Sequence, residues 1–424
     1  MNKEDREYLR DIAKQLKYAA SDEKWTEIRS LWAQKNSLKK TRPLILCMIP
    51  SEAWEELVTF DDCRIEDPFL RDYELYILRQ LYRYEHLQDD EVLEPVLYSP
   101  YFYRFSDWYE GRQRPYSGDR FKAEAFHPML LDYADLKKLS KPVLEEFDEK
   151  KTESCFELLN EVFGDILTVK KGLPTSSDTD SYVKGWGWSA IDVLCELRGL
   201  ENVFYDMVLA PEFVHEAMNL LTEGILDYKK TVLENGWLSL NNMSYVHGAN
   251  TPLGSNGLSI TNDLPAEDFS GKVRYQDIWG YAEAQEFSEV SPEMHAEFVL
   301  PYQKRMTDDF GLLSYGCCEP NDKKWDNIIN TFDNLRGVSV CHSADLDIAA
   351  EKIQDKYVFA WKPHCGVIAT YDENTIRNQL RTGFEKTKGC HVACCLRDNI
   401  TLFGHPERVE RWTEIAVELA TEYA

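Results

Sequence analysis

Apolar positions along this chain recur with two different periods, and the alternation between them predicts the fold. In residues 1–40, Leu9, Ile12, Ala13 and Leu16, then Trp25, Ile28, Leu31 and Trp32, fall at helical spacing among charged neighbours. Two amphipathic helices are expected there, as an extension covering whatever core follows. The run 43–50 is apolar on both faces and bounded by Pro43 and Pro50, which predicts a buried first strand. Leu70, Tyr73, Ile77, Leu78 and Leu81 predict a helix over 69–86, followed by a Tyr-, Arg- and Gly-rich loop to about residue 120. Its stretch Tyr101–Tyr109 is aromatic and charged together, and suits either a pocket for a planar ligand or packing beneath an insertion.

From residue 150 the two periods alternate. Helices are expected at 150–163, 188–200, 211–235, 291–309, from 322 and from 372. Strand-like runs are expected at 166–169, 237–241, 273–278, 311–315, 338–340, 358–361 and 391–395. Strand alternating with helix is the pattern of a parallel sheet, and about eight strands close most economically into a (β/α)8 barrel. The expected organisation is α/β: a TIM barrel over 41–424 with an N-terminal helical extension over 1–40. The long loop 241–268, rich in Asn, Gly, Ser and Pro, falls where barrels carry function.

Charge narrows the partners. With 74 acidic and 48 basic residues the formal net charge is −26, which repels phosphate backbones and anionic lipid surfaces, so neither nucleic acid nor membrane is an expected partner. No apolar leader opens the chain and no run suits a membrane span, which gives a cytoplasmic expectation. The 11 cysteines are odd in number, and seven of them (Cys317, Cys318, Cys341, Cys365, Cys390, Cys394 and Cys395) crowd the C-terminal quarter. In a reducing compartment this points to buried thiols, metal ligands or catalysis rather than disulfides.

The sharpest local feature is Leu312–Pro320, an apolar strand running through Gly316 into Cys317, Cys318 and Glu319, where a barrel strand would reach its active-site end. Residues two apart on an extended chain share a face, so Cys317 and Glu319 can share a Zn²⁺ with a more distant third ligand. Sequence leaves that ligand open among Cys341-His342, His364-Cys365 and Cys394-Cys395, each near a strand end. Asp192, Asp277 and Glu286 stand near tryptophans, and partial desolvation would suit such carboxyls to proton transfer. Asp277 and Glu286 are the expected catalytic pair.

The segments Cys195–Asn202, Ala210–His215, Ser291–Met294, Tyr315–Pro320, Trp361–Pro363 and Arg397–Thr401, with His405–Trp412 after them, resemble in their order the uroporphyrinogen decarboxylase-like superfamily, especially its corrinoid methyltransferase-related branch. The resemblance spans roughly 120–420 and implies the same barrel. It also implies a zinc-dependent methyltransferase that moves a methyl group between a small donor, such as a methoxylated aromatic, and a corrinoid carried by a partner protein. The branch's His-x-Cys pair would correspond to Cys317-x-Glu319, and its later cysteine to Cys394 or Cys395, of which Cys395 is taken. A decarboxylase-like lyase is the alternative enzyme, but the arginine-bearing segment of true decarboxylases is replaced here by Met48–Trp54, which offers no guanidinium for substrate carboxylates. A non-catalytic barrel that binds a small ligand, with its cysteines as packing, is the remaining reading.

Overall fold

The computed structural model describes residues 1–109, 127–172, 189–244 and 252–424. The later part of the aromatic loop, the tryptophans just before Asp192 and part of the 241–268 loop therefore lie outside the described residues. Among the described residues there are ten strands: β1 (Leu44–Cys47), β2 (Val96–Pro100), β3 (Tyr103–Phe105), β4 (Leu144–Phe147), β5 (Thr168–Gly172), β6 (Trp279–Ala282), β7 (Leu312–Tyr315), β8 (Leu335–Val340), β9 (Val358–Trp361) and β10 (His391–Leu396). Six form one parallel sheet in the order β1-β10-β9-β8-β7-β6, while β2 pairs with β5 and β3 with β4 in separate ribbons. The architecture is α/β with a parallel sheet, and among the described residues its hydrogen bonding forms an arc of six strands where a closed barrel of eight was expected.

The side-chain period of two sorts the sheet into faces. Ile45, Cys47, Val392, Cys394 and Leu396 pack toward the outer helices. Leu44, Leu46, Ala393 and Cys395 point inward, against Trp32, Leu258 and Ile260. The interior is thus filled by an N-terminal helix and a loop as well as by strands. Gly257 lies so close that a Cβ on it would meet the Trp32 ring at 2.8 Å, and its φ of +105° is a backbone conformation that favours glycine. The helix Lys24–Asn36 closes the N-terminal end of the sheet, where Arg336 at the start of β8 donates to the Asn36 carbonyl at 2.7 Å.

Both edges of the arc are buried, so their backbone groups need partners. On β1, the Ile45 and Cys47 amides donate to the Asp90 and Asp89 carboxylates, each at 2.7 Å, and Arg83 donates to the Cys47 carbonyl at 2.9 Å. On β6, the Asn241 side chain does what a neighbouring strand would: its Oδ1 accepts from the Trp279 amide and its Nδ2 donates to the Trp279 carbonyl, both at 2.9 Å. Accordingly 237–241, expected as a strand, forms none. Residues 273–278 turn where a strand was expected, because Asp277 accepts from the Arg274 amide at 2.9 Å, and the strand starts only at Trp279. The expected helix 291–309 is two helices, Pro292–Phe298 and Leu300–Thr307, broken at Val299 just before Pro301, whose ring denies the preceding turn a backbone bond. The strand expected at 166–169 begins at Thr168 instead. No described helix is long and apolar enough to cross a membrane.

Lys35 is fully buried beneath this interior, its Nζ 4.1 Å from the Trp32 ring centroid and without a hydrogen-bond partner among the described residues. Burial lowers its pKa from 10.5 to about 7, with only a small opposing influence from Cys395. Between those values the unfolded chain binds a proton that the folded chain does not, so this group's contribution to stability rises with pH. Below about 7 its destabilising effect is fully present. Lys35→Met is therefore expected to stabilise the protein at pH 7 by on the order of 3 kcal/mol, with the advantage shrinking toward pH 10; thermal melts of both proteins across that range measure it.

Candidate active site

The residues that carry chemistry sit one or two positions past the C-terminal ends of four strands of the sheet: Glu283 after β6, Cys317 after β7, Lys362 after β9 and Arg397 after β10. In a parallel α/β sheet this is the end at which loops converge on a site. Gly316, at φ +92°, turns the chain off β7 and presents Cys317 to the interior. A Cβ on Gly316 would lie 3.1 Å from that of Ser339, tighter than an ordinary contact.

Cys317 is fixed at both ends of its backbone. Its amide donates to Glu319 Oε2 at 2.8 Å, and its carbonyl accepts from Lys362 Nζ and Ser339 Oγ, each at 2.5 Å. Lys362 is buried and also donates to Asn256 Oδ1 at 3.0 Å and to Ser339 Oγ. Asn256 in turn donates to Ser314 Oγ at 2.9 Å and to the Gly316 carbonyl at 3.0 Å. Three strand ends, those of β7, β8 and β9, and the interior loop are thereby tied to the Cys317 backbone.

The thiol itself faces hydrogen-bond donors and cations. Cys318 Sγ lies 3.6 Å from Cys317 Sγ, and Arg397 NH1 lies 3.3 Å from it; the Tyr281 hydroxyl also hydrogen-bonds to it. Hydrogen bonding from Cys318, then the charges of Lys362 and Arg397, hold the Cys317 pKa far below the ordinary thiol value although burial opposes this. Cys318 moves upward because it supplies that hydrogen bond. Burial works against the charge on Arg397, but the Cys317 thiolate keeps it protonated. Burial lowers the pKa of Lys362, and the same thiolate opposes the shift. The result is a half-buried thiolate with protein cations as counter-ions, the surroundings of a reactive cysteine.

Beside it lies a group of opposite character. Asp192, Glu283 and Glu286 bring carboxylate oxygens within 4.8 Å of one another, the one such group of three metal-competent side chains among the described residues. Burial and the neighbouring acids raise the pKa of Asp192. Burial also raises that of Glu283, helped by the charges of Glu319, Glu286 and Cys317.

Cys317, expected as a metal ligand, and Glu286, expected as a proton-transfer group, both lie past the C-terminal ends of β7 and β6. The proposed ligand set of Cys317, Glu319 and Cys395 is not assembled. Both Glu319 oxygens are taken by backbone, Oε2 by the Cys317 amide and Oε1 by the Ala284 amide at 3.2 Å. Cys395 lies inside β10, fully buried among Trp32, Leu44 and Leu46, with its thiol pushed up to about 11 by that burial. Where a third ligand would approach Cys317 from β10, Arg397 approaches instead. These residues do not fit a zinc ion. His342 and His364 face each other with ring centroids 4.8 Å apart and are exposed. Asp277 is corrected from a proton-transfer role: it lies before β6, at the opposite end of the strands, locked by Arg274 at 2.8 Å, which holds its pKa low. Lys362, Arg397, Glu283 and Tyr281 were missed as site residues, yet three of them are signalled by being the first residue after an apolar strand run.

No family model matches the chain, and no curated protein is detectably similar to it. Among solved structures it is similar to a methyltransferase from Methanosarcina mazei, with 10% sequence identity and a TM-score of 0.47 over 92% of this chain and 98% of that one.

The cationic setting predicts that iodoacetamide labels Cys317 ahead of the other ten cysteines at pH 6, where ordinary thiols are protonated. Peptide mass mapping should show the fast label lost in Cys317→Ser. Arg397→Gln should slow labelling more at pH 6 than at pH 9, and an equal effect at both would mean that the guanidinium does not hold the thiolate.

Proposed function

We propose that this protein is a methyl-transferring enzyme in which the Cys317 thiolate takes the methyl group. The observation that carries this reading is the placement of Cys317 Sγ past β7, within reach of Arg397, Tyr281 and Cys318 and with its backbone fixed by Lys362 and Glu319. A thiolate held in place, half-buried and balanced by charges that cannot themselves be alkylated readily, is a nucleophile for saturated carbon. The choice of methyl over other groups rests on the resemblance of the ordered segments between residues 120 and 420, and a corrinoid on a partner protein remains the proposed exchange partner.

The chemistry needs no zinc. In attack on a methyl–cobalt(III) corrinoid, the sulfur lone pair forms the S–CH₃ bond while the Co–C electron pair stays with the metal as cobalt(I), so charge and electrons balance. Arg397 and Lys362 favour the thiolate in the resting site, and loss of its negative charge on methylation releases Arg397. Glu319 acts as a positioning residue through the Cys317 amide.

Methylcobalamin serves as the probe. Anaerobic mixing with the purified protein should bleach the methyl–cobalt absorbance and add one methyl mass to the peptide bearing Cys317. Cys317→Ser should abolish both signals, while Cys318→Ala should keep transfer at a rate lowered by about tenfold, the loss expected when one hydrogen bond to the thiolate is removed. A wild-type protein that neither bleaches the cofactor nor gains the mass would refute methyl acceptance from a corrinoid by this thiolate.

A further inference from the structure

From the geometry after β7 we infer that Cys317 and Cys318 form a redox pair. A hydroperoxide oxidises them to a disulfide between neighbouring residues, which silences the nucleophile until a thiol reductant restores it. The inference goes beyond methyl transfer: it rests on the Cys317 thiolate and not on the group that the thiolate accepts.

Neighbouring side chains on an extended chain point to opposite faces, so two adjacent cysteines on a strand hold their sulfurs apart. Here β7 stops at Tyr315, Gly316 takes a φ of +92°, and Cys317–Glu319 form a bend outside any helix or strand. The bend turns both thiols to one side, with their sulfurs 3.6 Å apart. A disulfide needs them at roughly 2 Å. The closing movement falls to Cys318, which is exposed, because the Cys317 backbone is held at its amide by Glu319 and at its carbonyl by Lys362 and Ser339.

The two sulfurs differ in a way that assigns the steps. Arg397, Tyr281 and Cys318 hydrogen-bond to Cys317 Sγ and keep it a thiolate, whereas Cys318 keeps its proton. The thiolate attacks one peroxide oxygen, the O–O bond breaks and hydroxide leaves, which gives a sulfenic acid on Cys317. The Cys318 sulfur then attacks the Cys317 sulfur. Its proton departs with the sulfenic hydroxyl as water while the S–S bond forms, so the two sulfurs lose the two electrons that the peroxide gains.

A sulfenic acid without a neighbouring thiol goes on to the irreversible sulfinic acid. Among the described residues Cys318 is the one thiol in contact with Cys317. Cys341, Cys394 and Cys395 are buried, and the Cys365 sulfur faces the Asp398 carbonyl at 3.6 Å. The exposure of Cys318 leaves the disulfide open to a reductant, and exposed disulfides are the labile, regulatory kind.

The tryptic peptide Met306–Lys323 carries these two cysteines and no other, so it reports the reaction directly. Reduced protein is treated with one equivalent of hydrogen peroxide, blocked with N-ethylmaleimide and digested. The peptide should be two hydrogens lighter and free of maleimide, and dithiothreitol should reverse this. Iodoacetamide labelling of Cys317 should fall by about tenfold or more after peroxide and recover after the reductant. In Cys318→Ala, dimedone should instead trap a sulfenic acid on Cys317. A wild-type Cys317 that resists peroxide, that stops at sulfenic or sulfinic acid beside a free Cys318, or that pairs with another cysteine would overturn the proposal. No corrinoid enters this experiment, so its failure is distinguishable from failure of the methyl-transfer reading.

Discussion

One buried ammonium organises this molecule. Lys362 sits at the end of β9 with no access to water, and a charge so placed is tolerated only when each of its donors is matched. Its three hydrogens meet the Asn256 amide oxygen, the Ser339 hydroxyl and the Cys317 carbonyl. Those partners come from the interior loop, β8 and the segment after β7, so satisfying one lysine fixes the relative positions of elements far apart in sequence. The same charge then faces the thiol of the residue whose carbonyl it holds. Stability and reactivity therefore draw on a single interaction, and the site cannot loosen without leaving a buried charge exposed to apolar surroundings.

The open arc follows the same logic of satisfied groups. A closed barrel satisfies every strand edge by pairing; here β1 and β6 are satisfied by Asp89, Asp90 and Asn241. Carboxylates and an amide can stand in for a strand only where they are themselves held. Arg83 donates to Asp89 at 2.9 Å, and Arg42 donates to both Asp90 oxygens. Closing the arc with side chains leaves space inside that strands alone would not fill, and Trp32, Leu258 and Ile260 occupy it. The N-terminal helix bearing Trp32 is thus part of the interior as much as an extension.

Much of this was legible in the sequence because burial imposes periodicity. The strands β7, β9 and β10 and the helices at 68–86, 149–163, 211–234 and 373–386 lie within a few residues of where the apolar pattern puts them. What periodicity does not carry is the partner of a polar side chain. Asn241 and Asp90 look like ordinary loop residues, and only the fold shows that they replace a strand. Asp277 was expected to transfer protons because a neighbouring tryptophan would desolvate it, but the strand begins at Trp279 and leaves Asp277 at the far end, held by Arg274. Cys395 does point inward, as the alternation of faces requires, but the residue that clears the end of β10 is Arg397.

That last difference decides the chemistry. A metal-bound thiolate spreads its charge into the metal and is tuned by the other ligands, whereas a thiolate held by Arg397, Lys362 and Tyr281 keeps its lone pairs free on the side away from those donors. On the proposed methylation the sulfur becomes neutral, which leaves the Arg397 guanidinium without its anion and removes the thiolate that opposes the burial-driven lowering of the Lys362 pKa. That imbalance favours return of the sulfur to the thiolate, as the proposed role of Cys317 requires. The acids at Asp192, Glu283 and Glu286 lie close enough for Glu283 to feel the charge on Cys317. The mouth of the sheet is therefore polarised, with fixed cations around the sulfur and carboxylates beside it.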